Sequence, residues 1–271
     1  MHGSSGALFP SLINELGIEN IVLNANYDEQ KLSNMNSLQK RSSDNISKIV
    51  TALQYDLGVI IYPNVQRLTF VTDKGEVLDK IKALYTILYL VNLDVGEGEK
   101  RKVFLPTWSP DIIYFENLII ERGKYSDFKV DQLKQYDLIA TIDGNFSFKE
   151  FSYTRDGIYS TLKIMQLLCT NNLKFSDVAK EIDYFYYKTF KVDCPQSLKG
   201  KMMRKFLESA KNKKSSLIDG VKIWENETDW ILMIPDQYGE FLNIYMQAKD
   251  DASGQKLYDL YTKQIDLWMR E

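Results

Sequence analysis

The chain reads as an α/β protein: two successive layers of alternating helix and strand, then a small α+β domain with an antiparallel sheet. Three observations predict this. Up to about residue 192, apolar residues at helical spacing alternate with short apolar runs of strand length. From residue 193 the order changes to helix, three strands and helix, the pattern of a small antiparallel layer. A polar, glycine-containing break, "DVGEGEKR" (94–101), divides the first part in two. A length of 271 residues accommodates two or three domains, and the boundaries fall at 1–97, 98–192 and 193–271.

The elements follow in order. "SLINELG" (11–17) has helical spacing and ends at Gly17, a C-cap. "NIVLNA" (20–25) predicts a short buried strand. "SSDNISKIVTALQY" (42–55) offers Ser and Asp caps, then Ile46, Ile49, Val50 and Leu53 along one helical face. "LGVIIYPNVQRLTFVTDKGEVL" (57–78) is a strand, a polar loop, a second strand and an Asp/Gly turn. "IKALYTILYLVNL" (81–93), the longest apolar stretch, belongs to a buried helix over 80–93 and is too short to span a bilayer.

Past the break, "KVFLP" (102–106) predicts a strand, 109–121 a helix, 125–129 a strand, 130–135 a short helix and "DLIATI" (137–142) a strand. "TRDGIYSTLKIMQLLC" (154–169) is an amphipathic helix with Ile158, Leu162, Met165 and Cys169 on one face. Asp156 caps it. "SDVAKEI" (176–182) starts a short helix, and the aromatic run "YFYYKTFKV" (184–192) is extended and links two domains. A helix near 196–212, strands at 221–225, 229–235 and 241–249, and a helix from about 252 to 270 complete the chain.

Composition excludes several classes of function. With 34 basic against 37 acidic residues, a net charge of −3 gives no general pull toward nucleic acid or an anionic membrane. "KNKK" (211–214) is a solvated basic run. His2 is the only histidine, which removes Ser-His-Asp catalysis and multi-histidine metal sites. Cys169 and Cys194 lie far apart and read as reduced, buried thiols of a cytoplasmic protein. The first residues lack the basic-then-apolar order of a signal peptide.

The loop Tyr62-Pro63-Asn64-Val65-Gln66-Arg67 leaves a strand where an α/β enzyme often places its chemistry, yet it carries no carboxylate, His or Cys. Four segments in order resemble the second, third and fourth domains of the α-D-phosphohexomutase superfamily, which includes phosphomannomutases and phosphoglucomutases. They are "MHGSSGALFPSLINELG", "DLGVIIYPNVQRLTFVTDKGEVL", "DGNFSFKEFSYTRDGIYSTLKIMQLL" and "DGVKIWENETDWILMIPDQYGEFLNIYMQA". The resemblance implies two mutase-type three-layer α/β domains followed by the α+β domain. "VLNANYDE", "LGVIIYPNVQRLTFV" and "ILMIPDQ … IYMQA" also resemble the mutase-like C-terminal half of bacterial mannose-1-phosphate guanylyltransferase fusion proteins.

Residue by residue, the resemblance implies three degenerate stations. The family's three metal aspartates fall on Tyr62, Asn64 and Gln66, and its Arg on Arg67. Without carboxylates, tight Mg²⁺ binding is not expected. The family's sugar loop falls on Gly144, Asn145, Phe146, Ser147, Phe148 and Lys149; Asn145 replaces a Glu, Lys149 a His, and Phe148 a Gly. Arg67, Gly144, Asn145, Ser147 and Lys149 are therefore the candidate ligand-cleft residues. The phosphate loop falls on Ile234, Pro235, Asp236, Gln237, Tyr238, Gly239 and Glu240; its Arg is gone, and Asp236 and Glu240 bring negative charge.

These substitutions point to a non-catalytic, phosphohexomutase-like module of a sugar-nucleotide biosynthesis protein, with a structural or regulatory role. Its expected partner is a nucleotidyltransferase domain, in the same polypeptide or another chain. No cofactor, nucleic acid or membrane is expected, and a homo-oligomer is compatible. The alternatives are phosphomannomutase- or phosphoglucomutase-type phosphoryl transfer, and a module that senses a sugar nucleotide. The resemblance also leads us to expect a strand ahead of the glycine-rich opening, and its absence would leave apolar slots and an open strand edge.

Overall fold

A computed structural model describes residues 5–26, 35–125 and 130–270. These divide into two compact units: Met1–Leu105 with Phe115–Glu121 and Phe128–Ile182, and Pro106–Tyr114 with Arg122–Asp127 and Asp183–Glu271.

The first unit opens with α1 (Ser5–Glu15) and α2 (Met35–Leu53). The antiparallel pair β1 (Leu57–Ile61) and β2 (Leu68–Thr72) follows, in register from Leu57↔Thr72 to Ile61↔Leu68. α3 (Lys80–Leu93) is apolar nearly all round and correspondingly buried, from Ala83 to Val91 with few interruptions. Asp79 starts it by accepting the backbone N–H groups of Ile81 and Lys82, both at 2.9 Å.

A four-stranded sheet comes next, in the order β4-β3-β5-β6. Its strands are β3 (Arg101–Pro106), β4 (Leu118–Gly123), β5 (Leu138–Thr141) and β6 (Asn145–Phe148), with the one-turn α4 (Val130–Leu133) between β4 and β5. β3 and β5 are parallel, whereas β5 and β6 form an antiparallel hairpin. α5 (Gly157–Asn171) and α6 (Phe175–Lys180) complete the unit. Asp156 caps α5 through the N–H of Tyr159 at 2.7 Å.

The second unit is an antiparallel sheet in the order β7-β11-β10-β9-β8, packed against two helices. Its elements are β7 (Tyr186–Asp193), α7 (Gln196–Ser209), β8 (Ser215–Ser216), β9 (Val221–Trp224), β10 (Trp230–Pro235), β11 (Phe241–Ala248) and α8 (Asp251–Arg270). Met202 and Phe206 of α7 meet Ile223, Ile231, Ile244, Tyr261 and Ile265 in its core. β7 alternates half-buried and exposed residues toward its end, whereas β9 and β10 are buried on both faces, with Lys222, Trp230 and Leu232 opposite the core residues Ile223, Ile231 and Met233.

Several local expectations are corrected. No helix spans 109–121: the segment is irregular, then becomes β4, because "NLII" pairs beside β3 and Pro110 disfavours a continuous helix start. The strand expected at 20–25 is not formed, and the one expected near 125–129 falls mostly outside the described residues. The run at 184–192 is not a connector; it supplies β7, paired along its whole length with β11. In α5 the buried stripe is Ile164, Leu167 and Leu168, while Leu162 and Met165 are half-buried and Cys169 is exposed. Cys194 is buried.

Candidate functional site

The loop between β1 and β2 is a tight return. Tyr62 N–H donates to the Arg67 carbonyl at 3.0 Å, and Val65 N–H to the Tyr62 carbonyl at 2.8 Å. Val65 sits at φ +58°, a left-handed conformation that a β-branched residue rarely adopts. Its carbonyl accepts the N–H of Gly157, the first residue of α5, at 2.6 Å. Inside the loop, Asn64 Oδ1 accepts the Gln66 N–H at 3.2 Å, and the Tyr62 hydroxyl lies 3.5 Å from Thr69 Oγ1. The Arg67 guanidinium rests over the Tyr62 ring, 5.4 Å from its centroid.

The β5–β6 hairpin meets this loop. Arg67 and Asn145 form an isolated antiparallel bridge, and Leu68 N–H donates to the Gly144 carbonyl at 2.8 Å. Gly144 has φ +79°, and a β-carbon there would collide with the Leu68 carbonyl oxygen. Glycine is required by this contact. Arg67, Gly144 and Asn145 are thus brought together. Asn145 is buried and spends its amide on Thr141 Oγ1 at 3.1 Å. Ser147 is also buried, and Lys149 sits 3.7 Å from Asp137.

The third predicted station, 235–240, lies in the second unit, where it turns β10 into β11. Asp236 Oδ1 accepts the N–H groups of Tyr238 at 3.0 Å and Gly239 at 2.7 Å, and Asn243 Nδ2 approaches Oδ2 at 3.4 Å. The Gly239 N–H, then that of Tyr238, holds the Asp236 carboxyl below its ordinary value. Lys199 of α7, almost fully buried, donates to the carbonyls of Asp236 and Gly239, both at 2.6 Å. The amides that could cradle an external anion are occupied by an internal one. Pro235 is half-buried, and Gln237 and Tyr238 are exposed at the tip.

No family model matches the chain. It is similar to a probable phosphoglucosamine mutase of Methanosarcina acetivorans, 25% identical over 96% of this chain and 59% of that protein. Its fold is similar to a crystal structure of a phosphoglucomutase/phosphomannomutase family protein from Burkholderia thailandensis. There the TM-score is 0.77 at 16% identity, covering 98% of this chain and 59% of the other. The fold is that of the α-D-phosphohexomutases. The chain spans about 59% of the length of the curated relatives it matches.

Among phosphohexomutases, an Aspergillus fumigatus N-acetylphosphoglucosamine mutase has been crystallised with GlcNAc-6P and magnesium. It matches at TM-score 0.50 and 10% identity over 79% of this chain and 48% of its own. The residues here do not fit that ion. Mg²⁺ requires octahedral oxygen ligands that usually include one or two carboxylates. The 62–67 loop offers a phenol, two amides and backbone carbonyls, with Asn64 Oδ1 already accepting a hydrogen bond. Asp143, beside Gly144, is paired with Lys80 at 3.0 Å. Among the described residues, no three His, Cys, Asp or Glu side chains converge on a common point.

Two buried charge clusters were not foreseen. In the second unit, Lys222 of β9 donates to Asp111 Oδ2 at 3.0 Å, while Trp230 Nε1 (2.7 Å) and Gln247 Nε2 (2.9 Å) donate to Oδ1. Burial pushes the Lys222 ammonium down to about 8, with Asp111 opposing the shift. Burial acts most strongly on Asp111, to raise it, but the charge and hydrogen bond of Lys222, the Arg122 charge and the Trp230 hydrogen bond together outweigh it and leave the carboxyl lowered. In the first unit, buried Lys163 lies 2.9 Å from Glu150 and 3.5 Å from Asp94, which Arg101 also holds at 2.7 Å. Both clusters join residues far apart in sequence. Only the rarity of a lysine inside an apolar strand, "GVKIW", could have flagged the first.

Among the described residues, no helix is long and apolar enough to cross a membrane.

Proposed function

We propose that the chain is a phosphohexomutase-like module without phosphohexomutase chemistry, serving a structural or regulatory role in sugar-nucleotide biosynthesis. One observation carries this reading: the donor set of the 62–67 loop, whose positions 62, 64 and 66 hold Tyr, Asn and Gln. Phosphoryl transfer between sugar positions develops charge that a divalent cation or a strong cationic clamp must stabilise. The loop has one cation, Arg67, and it rests over the Tyr62 ring. The internal carboxylate of Asp236 on the 238–239 amides adds support, since it opposes a phosphate dianion. The partner in this reading is a nucleotidyltransferase of the mannose-1-phosphate guanylyltransferase type. Its support is the sequence resemblance of 22–29, 57–71 and 231–248 to such fusion proteins.

A second reading, hexose-phosphate mutase activity, is favoured by the relatives' names, which include phosphoglucosamine mutase at 25% identity over 96% of this chain. A coupled assay separates the two. The substrates are the 1-phosphates of glucosamine, glucose and mannose, with the matching bisphosphate and Mg²⁺. We expect no turnover above background. Turnover that disappears in Arg67→Ala would overturn the non-catalytic reading in favour of the second.

A further inference from the structure

The five-stranded sheet of the second unit ends differently at its two edges. One edge is β8, only two residues long, which offers an incoming strand almost no ladder. The other is β7, eight residues long, without proline and paired with β11 in unbroken register from Tyr186↔Ala248 to Asp193↔Phe241. A long, regular edge is a template for another strand unless something guards it.

The direction of its backbone groups follows from one bond. Cys194 N–H donates to the Glu240 carbonyl at 2.8 Å, so 194↔240 is a hydrogen-bonded pair that continues the β7–β11 ladder. Alternation turns the backbone groups of Lys188, Phe190 and Val192 toward β11, and those of Thr189, Lys191 and Asp193 away from it. These last three residues are exposed. Among the described residues, nothing bonds their outward backbone groups.

Lysines are the usual guards of such an edge. β7 has two, and both fold back onto rings of their own chain. Lys188 Nζ lies 3.4 Å from the centre of the Tyr258 ring, and Lys191 Nζ 3.9 Å from that of Phe241. Their charges are engaged within the copy, and the edge is left open.

The edge is also complementary to itself. When two copies pair antiparallel about a two-fold axis, outward-pointing residues must face outward-pointing residues, so the longest registers are centred on Thr189, Phe190 or Lys191. Centring on Lys191 sets two ammonium groups directly opposite each other, which is destabilising. Centring on Thr189 leaves Asp193 outside the ladder. Centring on Phe190 sets Thr189 against Lys191 and Asp193 against Tyr187, with no like charges opposed. It also sets Phe190 against Phe190 in the closer, non-hydrogen-bonded position, a favourable cross-strand aromatic pair. Phe190 is already steadied there by Tyr258, whose ring centre lies 5.2 Å away.

We propose that a second copy of this chain adds to the outer edge of β7, antiparallel and centred on Phe190, so that two five-stranded sheets join into one. Thr189 and Lys191 of one copy then exchange main-chain bonds with Lys191 and Thr189 of the other. The joined sheet stays within the range of open sheets, about ten strands. The proposal is independent of the chemistry of the 62–67 loop and of the nucleotidyltransferase partner.

Sedimentation velocity of the whole chain from about 1 to 100 µM reads the association, and a reversible shift from monomer to dimer is expected. Thr189→Pro removes one outward N–H from each copy without touching the β7–β11 ladder, so it should raise the dimer dissociation constant about tenfold or more. Amide hydrogen exchange adds a readout on the unaltered chain. The Thr189 and Lys191 amides should exchange about tenfold or more slowly at the highest concentration than at the lowest, while those of Lys188 and Phe190 stay protected throughout. A chain that remains monomeric across the range overturns the proposal. A dimer whose Thr189 and Lys191 amides exchange as fast as in the monomer places the contact elsewhere and overturns it as well. A folded T189P variant that dimerises as tightly as wild type does the same.

Discussion

Replacing Lys222 by Met should destabilise the second unit by about 3–4 kcal/mol. The ammonium lies 3.0 Å from Asp111 Oδ2 and 3.6 Å from the centre of the Trp230 ring, and its side chain is 6% exposed. At that distance the gross attraction is about 5.5 kcal/mol for an effective dielectric near 20. Burial offsets part of it, as the depressed Lys222 value of about 8 indicates. Asp111 would keep its bonds from Trp230 and Gln247 but would become a largely buried carboxylate without its cation. Breaking a buried pair from one side typically costs ~3–5 kcal/mol, and the surviving bonds favour the lower end. Adding Asp111→Asn removes the stranded charge, so the double variant should be less destabilised than the sum of the two singles by about 1.5 kcal/mol or more. All four tryptophans, Trp108, Trp224, Trp230 and Trp268, lie in the second unit, so intrinsic fluorescence in urea reports its unfolding. The K222M midpoint should fall by more than ~1 M. Wild-type stability carries a matching pH signature. A cation whose folded value is about 8 and whose unfolded value is near 10.4 binds fewer protons when folded, so its contribution rises with pH across that window. K222M should lack that rise. A K222M midpoint unchanged from wild type, or strictly additive variants, would refute the reasoning.

Calorimetric titration with Mg²⁺ should show no saturable site below the millimolar range, and Y62D/N64D/Q66D should create one. A tight wild-type site would contradict the donor set described for the loop. Lys199→Met removes two charge-assisted bonds to the 236 and 239 carbonyls; a loss of about 2–3 kcal/mol is expected, read by tryptophan fluorescence. A neutral result would mean that the loop holds itself closed. Val65→Gly relieves a left-handed β-branched residue and should slow hydrogen exchange of the β1 and β2 amides by roughly fivefold, equivalent to about 1 kcal/mol. Faster exchange would show that the Val65 side chain contributes more than its backbone costs. Thermal shift with guanosine and uridine diphosphate sugars should give no stabilisation, because Asn145 and Lys149 already have partners and Ser147 is buried. A saturable shift abolished by Arg67→Ala would restore the sensing alternative.

Legibility in the sequence followed the range of the forces involved. α3 was readable because an apolar run follows an aspartate with no competing pattern, and the residues from Asp79 to Leu93 decide it locally. The last helix and the hairpin of β10 and β11 were readable for the same reason. The segment 109–121 was not. Asp111 has its ion pair on Lys222 and its other bonds on Trp230 and Gln247, all more than a hundred positions away, and no local spacing encodes them. β7 likewise depends on pairing with β11, which only tertiary proximity provides. The charge of Asp236 was legible. Its role as the acceptor that closes its own loop was not, because that depends on the turn placing two N–H groups on one carboxylate oxygen.

The bonds that hold the 62–67 loop explain why its side chains can change without loss of the fold. The loop is fixed by main-chain groups: Tyr62 to Arg67, Val65 to Tyr62 and to Gly157, and Leu68 to Gly144. Side chains at 62, 64 and 66 add one long hydroxyl contact to Thr69, one bond within the loop itself and the Tyr62 ring beneath Arg67. Two glycines matter more than any of them. Gly144 gives the Leu68 carbonyl room, and Gly157 does the same for the Val65 carbonyl. The 235–240 turn differs, since the Asp236 and Lys199 side chains hold its backbone and Asn243 Nδ2 approaches Asp236 Oδ2, whereas the 62–67 loop is held by its main chain. A loop built this way is indifferent to whether its exposed positions carry carboxylates. Fold and chemistry therefore separate at residue level, and a fold-level likeness to active mutases carries no statement about turnover by this chain.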